Sequence, residues 1–168
     1  MTADELKKLL NLQTLPHEGG FFNETYRSPL SIPQHVVGDD YPGSRSASTA
    51  IYYLLTDTCI SRMHRVPGDE LFHFYLGDPV EMLQLHPDGS HQHVTIGQDI
   101  AAGMRPQVVV PGGVWQGARV IEGGCFALLG ATMAPGFEFD DYEHGQRAAL
   151  TAQYPALAEM IQHLTDPD

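Results

Sequence analysis

The sequence predicts an all-β fold, a sandwich or closed barrel flanked by short helices. Two observations carry this. From residue 49 to 134 the chain is a series of short apolar runs: "TAIYYLLTD", "CISRMHRV", "ELFHFYLG", "VEMLQLHP", "HQHVTIG", "PQVVVPGG", "ARVIEGG" and "CFALLGATMAP". Turn signals separate them, among them Pro67-Gly68-Asp69, Gly77-Asp78-Pro79, Pro87-Asp88-Gly89 and Gly112-Gly113. Strands of that length and spacing indicate a two-sheet or closed β architecture.

The flanking elements follow from local chemistry. Thr2 and Glu5 have capping-box spacing, and Leu6, Leu9 and Leu10 give one apolar face, so the chain opens with a helix that ends before Pro16. "EGGFFNETYRS" reads as a strand led in by Gly19-Gly20. "HVVGDDYPGSRSAS" reads as loop by composition. The tail, "EHGQRAALTAQYPALAEMIQHLT", has helical spacing broken at Tyr154-Pro155. It predicts two short helices, the second with Pro155 near its first turn. No repeat or linker interrupts the chain, so one domain is expected over residues 1–168, with the barrel core at about 18–140.

Bulk composition narrows the function. The 168 residues are 42% hydrophobic and carry a net charge of −12. That length can bury a core. The acidic balance argues against nucleic acid or an anionic membrane as partner. The start lacks a basic, apolar leader and no run reaches a membrane span, so a cytoplasmic protein is expected. Cys59 and Cys125 have no metal or redox spacing and are expected as buried thiols. Of the nine histidines, His35, His86, His91, His93, His144 and His163 fall in segments read as loops or helix ends, and surface imidazoles are expected there.

One stretch carries chemistry: "MHRVPGDELFHFYLGDP", residues 63 to 79. A Pro-Gly turn joins two strands as a hairpin. Side chains alternate faces along a strand, so an inward His64 takes Ile60, Arg62 and Val66 with it. An inward Glu70 takes Phe72 and Phe74, leaving His73 and Tyr75 outside. A charged glutamate among phenylalanines is costly unless paired or coordinated. Arg62, His64 or a metal ion are the partners in reach.

These residues resemble the cupins. His64 matches the first histidine of the first cupin motif, Glu70 its glutamate, and Gly77 the glycine six residues on. Val66 stands where that motif has a second histidine. In "PGGVWQ", Pro111 and Gly113 match the second motif, with Gln116 in place of its histidine. "DELFHFYLGDPVEMLQLHPDG", "PQVVVPGGVWQGA" and "MAPGFEFDDYEHG" further resemble the cupin-5 group, a domain of unknown function, in the right order from about residue 8 to 147. The resemblance implies an RmlC-like double-stranded β-helix, a conical jelly-roll barrel with a central pocket, and a homodimer.

Site expectations follow. Cupin metals normally take three imidazoles and a carboxylate, and this chain offers His64 and Glu70. We therefore expect no tightly held cofactor; a weakly bound divalent metal would fall to His64, Glu70 and Gln116. The resemblance includes sugar epimerases that work without metal, with a histidine base and a tyrosine acid. His64 is the candidate base beside Glu70, and Tyr52 the candidate acid. Arg62, Phe72, Phe74, Trp115 and Gln116 are candidate ligand contacts. The expected ligand is a compact, ring-shaped molecule polar at one end. A metal-dependent oxygenase or hydrolase, and a non-catalytic binding or storage-like protein, are the alternatives.

Overall fold

A computed structural model describes residues 1–167. A six-stranded antiparallel sheet contains β1 (Gln13–Thr14), β2 (Phe21–Arg27), β5 (Thr49–Thr56), β12 (Phe126–Met133), β7 (Glu70–Gly77) and β10 (Gln107–Val110), in that spatial order. A five-stranded sheet contains β13 (Glu143–His144), β6 (Ser61–Arg65), β11 (Trp115–Val120), β8 (Val80–Leu85) and β9 (His91–Ile96). A small pair, β3 (Ser31–Ile32) with β4 (Arg45–Ser46), lies apart. This is the jelly-roll arrangement expected: non-consecutive strands sit side by side in both sheets. Among the described residues, no helix is long and apolar enough to cross a membrane.

Period-2 alternation builds three apolar layers. Between the sheets, Tyr53, Leu55, Phe72, Leu129 and Ala131 from one pack on Val80, Met82, Ile96, Ala118 and Val120 from the other. Behind the five-stranded sheet, Met63, Leu83 and Leu85 are covered by Leu150 of α3 (Arg147–Gln153) and Ile161 of α4 (Ala158–His163). Pro155 opens a 3-10 turn between them, as its fixed φ favours. Behind the six-stranded sheet, Leu54 and Leu128 are covered by Leu6 of α1 (Ala3–Leu9). The Thr2–Glu5 capping box that starts α1 is formed in both directions, at 3.2 and 2.7 Å.

Three bulges decide which side chains face inward. Between Glu24 and Tyr26 the β2–β5 register shifts, so Glu24 opposes Ile51 and Arg27 opposes Thr49. The extra residue, Thr25, brings Glu24 and Arg27 to one face and leaves Tyr26 outside. On β7, Phe74 opposes Leu129 and Leu76 opposes Leu128, so Tyr75 is the extra residue. On β6, His64 opposes Gln116 but Ser61 opposes Ala118.

That last bulge corrects the simple alternation drawn from sequence. Ser61 turns in, while Ile60 joins the outer cluster around Met63. Two smaller corrections concern loops. The segment read as loop holds a one-turn helix, α2 (Gln34–Val37). Cys125 is exposed, since it sits in the turn before β12 with its N–H on the Asp78 carboxylate at 2.7 Å; Cys59 is half-buried, and both thiols are free.

Candidate functional site

A cavity of about 80 Å³ opens between the sheets. Its inner end is lined by buried Thr49, His64, Val66, Ala131 and Met133, with Glu18 and Glu70. Its outer end is lined by Glu24, Arg27, Glu138 and Phe139, all more than a third exposed. Phe22, Phe137 and Phe139 meet edge to face there, at 6.5 and 5.3 Å between ring centres. Arg27 is held by Glu24 at 2.8 and 3.0 Å and by Glu138 at 2.5 Å.

His64 is 2% exposed. Its Nδ1 lies 2.7 Å from the Arg62 carbonyl oxygen. A carbonyl can only accept, so Nδ1 carries a proton, and in the neutral ring Nε2 is the acceptor. Nε2 lies 3.7 Å from Glu18 Oε2. Tyr142 stacks on the imidazole at 5.3 Å, and its hydroxyl lies 3.0 Å from His144 Nδ1.

Glu70 meets His64 in this cavity from the opposite sheet. Gln116 Nε2 donates to Glu70 Oε2 at 2.6 Å. Burial of the Glu70 carboxyl, then the nearby Glu18 carboxylate, pushes its pKa up to about 7, against the opposing pull of His64 and the Gln116 hydrogen bond. Gln116 is 1% exposed, and its Oε1 has no hydrogen-bond partner.

Glu18 is held by backbone chemistry. Its carbonyl accepts the Arg62 N–H at 2.8 Å, and its Oε1 accepts the Ser61 hydroxyl at 2.9 Å. Gly20 follows with φ +73, and a Cβ there would sit 2.6 Å from the Tyr53 ring. Only glycine lets the loop close this tightly over β5.

The structure brings His64, Glu70 and Gln116 together and disperses the other candidates. Tyr52 is a correction: odd-numbered Ile51, Tyr53 and Leu55 of β5 face inward, so Tyr52 packs outside, edge to face with Tyr75 at 6.1 Å. Trp115 is a second. Gln116 faces in, so Trp115 faces out among Met63 and Leu85, with the Arg65 guanidinium 4.6 Å above its ring. Arg62, on the β6 bulge, reaches away to Asp166 at 2.8 Å and does not line the cavity. Phe72 and Phe74 do face inward, but they fill the core beyond the cavity. His73 lies outside, 3.3 Å from Gln107.

Sequence reasoning missed Glu18, Ser61, Tyr142 and the mouth residues Glu24, Arg27 and Glu138. It also put His144 on the surface; as part of β13 it is half-buried and directly opposite His64. A glutamate before two glycines was the only signal for Glu18, and it is a weak one.

The donor set does not fit a tightly held transition metal. Val66 has no ligating atom, and Gln116 offers only an amide oxygen, a poor ligand for first-row transition metals, which leaves His64 and Glu70 as the strong donors. Among the described residues, no group of three or more His, Cys, Asp or Glu side chains is arranged to hold a metal ion.

Two facing antiparallel sheets around a polar, buried cavity define a cupin-type barrel. The chain belongs to the cupin-5 family, described as Cupin superfamily (DUF985), whose model matches residues 4–145. It is 32% identical over 148 residues to the uncharacterized protein YML079W of Saccharomyces cerevisiae, covering 82% of this chain and 73% of that one. Among solved structures, protein SO0799 from Shewanella oneidensis matches with a TM-score of 0.87 and 34% identity over 100% of this chain and 99% of that one. A hypothetical protein from Leishmania major matches with a TM-score of 0.89 and 27% identity over 99% and 100%. An oxalate decarboxylase of Bacillus subtilis shares the fold at a TM-score of 0.54 and 12% identity, over 94% of this chain and 38% of that one.

Proposed function

We propose that this cupin binds a compact polar molecule between its sheets, without a resident metal, and moves a proton on it in an isomerase-type reaction. The observation that carries the reading is the fixed tautomer of His64. With Nδ1–H held by the Arg62 carbonyl, Nε2 is the basic atom inside a cavity shared with Glu18 and Glu70. His64 removes a proton from the bound molecule and returns it at another position, a one-base transfer that needs no tyrosine acid.

The experiment is solvent deuterium uptake. Candidate small ring compounds that shift the melting temperature are incubated in D2O with a chelator, and carbon-bound deuterium is read by mass spectrometry. Uptake that persists with chelator and disappears in His64→Ala supports the reading. Uptake that needs added metal sinks it.

One observation favours a second reading, binding without turnover. Among the described residues no tyrosine lines the cavity, and the inward Tyr53 gives its hydroxyl to the Gly19 carbonyl at 3.0 Å. Saturable binding with no exchange for any bound compound would establish it. We also propose a homodimer, supported by Tyr75 and Val109, 50% and 49% exposed on β7 and β10 at one side of the larger sheet.

A further inference from the structure

The inner end of the cavity has an imbalance of hydrogen-bonding roles. Each of its nitrogen donor groups already has an acceptor. His64 Nδ1–H goes to the Arg62 carbonyl, and Gln116 Nε2 goes to Glu70. At the outer end the Arg27 guanidinium is divided among Glu24, Glu138 and the Phe137 carbonyl. The acceptors are not all engaged. Behind Glu70, just outside the lining, Gln116 Oε1 is buried without a partner, although buried amide oxygens are normally bonded. His64 Nε2 is an acceptor in the neutral ring, and its nearest ionic neighbour, Glu18 Oε2, is another acceptor at 3.7 Å.

Charge points the same way as hydrogen bonding. Four carboxylates line the cavity, Glu18, Glu24, Glu70 and Glu138, against one guanidinium. Arg27 answers Glu24 and Glu138 at the mouth, so the two inner carboxylates have no strong cation of their own. After burial, the Glu18 charge is the next cause of the raised Glu70 value. A half-buried pair of this kind is complemented by a positive group between them.

Resting on the binding reading above, we infer that the ligand is an organic cation: a protonated amine whose ammonium sits between Glu18 and Glu70 and whose apolar body lies against Phe22 and Phe139. An ammonium brings three donors and no acceptor, the complement of what this end of the cavity lacks. The enclosed space admits the charged head and a few carbons, being smaller than the ~150 Å³ cavity that takes up benzene. The rest of the molecule lies among the phenylalanines at the mouth, where a cation can also face an aromatic ring. Carboxylate and phosphate ligands meet only like charge at the inner end.

Three matched probes test this on the intact protein: benzylamine, benzyl alcohol and benzoate, by calorimetry at about pH 8, where an alkylammonium keeps its proton. Benzylamine is expected to bind at least about tenfold more tightly than the alcohol, with no measurable benzoate binding. Glu18→Gln, with folding checked by its melting curve, is expected to remove most of that preference. If the variant does not fold, the wild-type ranking of the three probes decides alone. Benzoate or benzyl alcohol binding as tightly as benzylamine would overturn the amine assignment and leave the pocket reading intact. No saturable binding by any probe would overturn both. Stoichiometric zinc or manganese binding that excludes benzylamine would show that the complementary cation is inorganic, and would also overturn the assignment.

Discussion

His64 and Gln116 are direct partners across β6 and β11, and each is tied to a different group: His64 Nδ1 to the Arg62 carbonyl, Gln116 Nε2 to Glu70. An imidazole at position 116 would therefore stand beside His64, on the same face. Val66 lines the same cavity. The double variant Val66→His, Gln116→His is expected to gain nickel or zinc affinity by about 100-fold or more, through two added strong ligands. Competition against a chelating dye measures it. No gain would mean that these positions cannot converge on one ion with His64 and Glu70.

His64→Ala is expected to fold and to lose binding. It leaves a hole beside Tyr142 and strips the Arg62 carbonyl of its partner, at a cost of about 1–3 kcal/mol. The melting temperature should fall by several degrees while a cooperative transition persists. A variant recovered only as aggregate would instead mark His64 as a structural residue.

Glu70 makes stability depend on pH with a definite sign. Its carboxyl is pushed from 4.5 to about 7 in the folded protein. The folded state therefore holds the proton more tightly than the unfolded chain. Its contribution is full below about pH 4.5 and is lost as pH rises to about 7, at no more than ~1.4 kcal/mol per pH unit. Urea melts of wild type and Glu70→Gln across this window check it. The wild type should lose stability relative to the variant as pH rises, and parallel curves would contradict the shift.

Gly20→Ala is expected to destabilise by about 1–3 kcal/mol, because φ is +73 and the added carbon meets the Tyr53 ring. Since the same loop presents Glu18, benzylamine affinity should fall as well. A thermal melt with calorimetry separates the two effects. Unchanged affinity would show that Glu18 is placed by β6 alone.

Light scattering at micromolar concentration is expected to give twice the chain mass. Tyr75→Lys with Val109→Lys should shift it toward monomer, since both side chains are half exposed in the isolated chain. A monomeric wild type would end the dimer proposal.

The fold was legible because its signals are local and repeated. Short runs bounded by Pro, Gly and Asp make strands wherever they occur, and the Thr2–Glu5 cap and Pro155 act within a few residues. The His64–Glu70 meeting was legible, but not its geometry: the Pro67-Gly68 turn was read as a hairpin, whereas it carries the chain from one sheet to the other, so the two side chains meet across the barrel and not across a strand pair. Bulges broke the reading. Each adds one residue on one strand, which nothing in an apolar run announces, and everything beyond it changes face. Ile60 and Arg62 were misplaced in this way. Tyr52 and Trp115 failed differently: without a known register, the inward parity of β5 was a choice of two, and Trp115 was counted with Gln116 as a ligand contact although neighbours on a strand face opposite ways. Glu18, Tyr142 and Glu138 come from loops whose return to the barrel is set by tertiary contacts.

The bulge at Thr25 makes the charge of the cavity mouth a matter of counting as much as of composition. With Thr25 bulged out of the ladder, Arg27 stands beside Glu24 and offsets one of the two carboxylate charges at the entrance. Were Thr25 instead paired in a regular ladder, the following positions would exchange faces, with Tyr26 inward and Arg27 in solvent; deleting Thr25 closes the bulge and keeps Glu24 opposite Ile51 and Arg27 opposite Thr49. The entrance therefore tolerates the loss of Thr25 itself, but not the loss of the bulge with Thr25 drawn into the ladder.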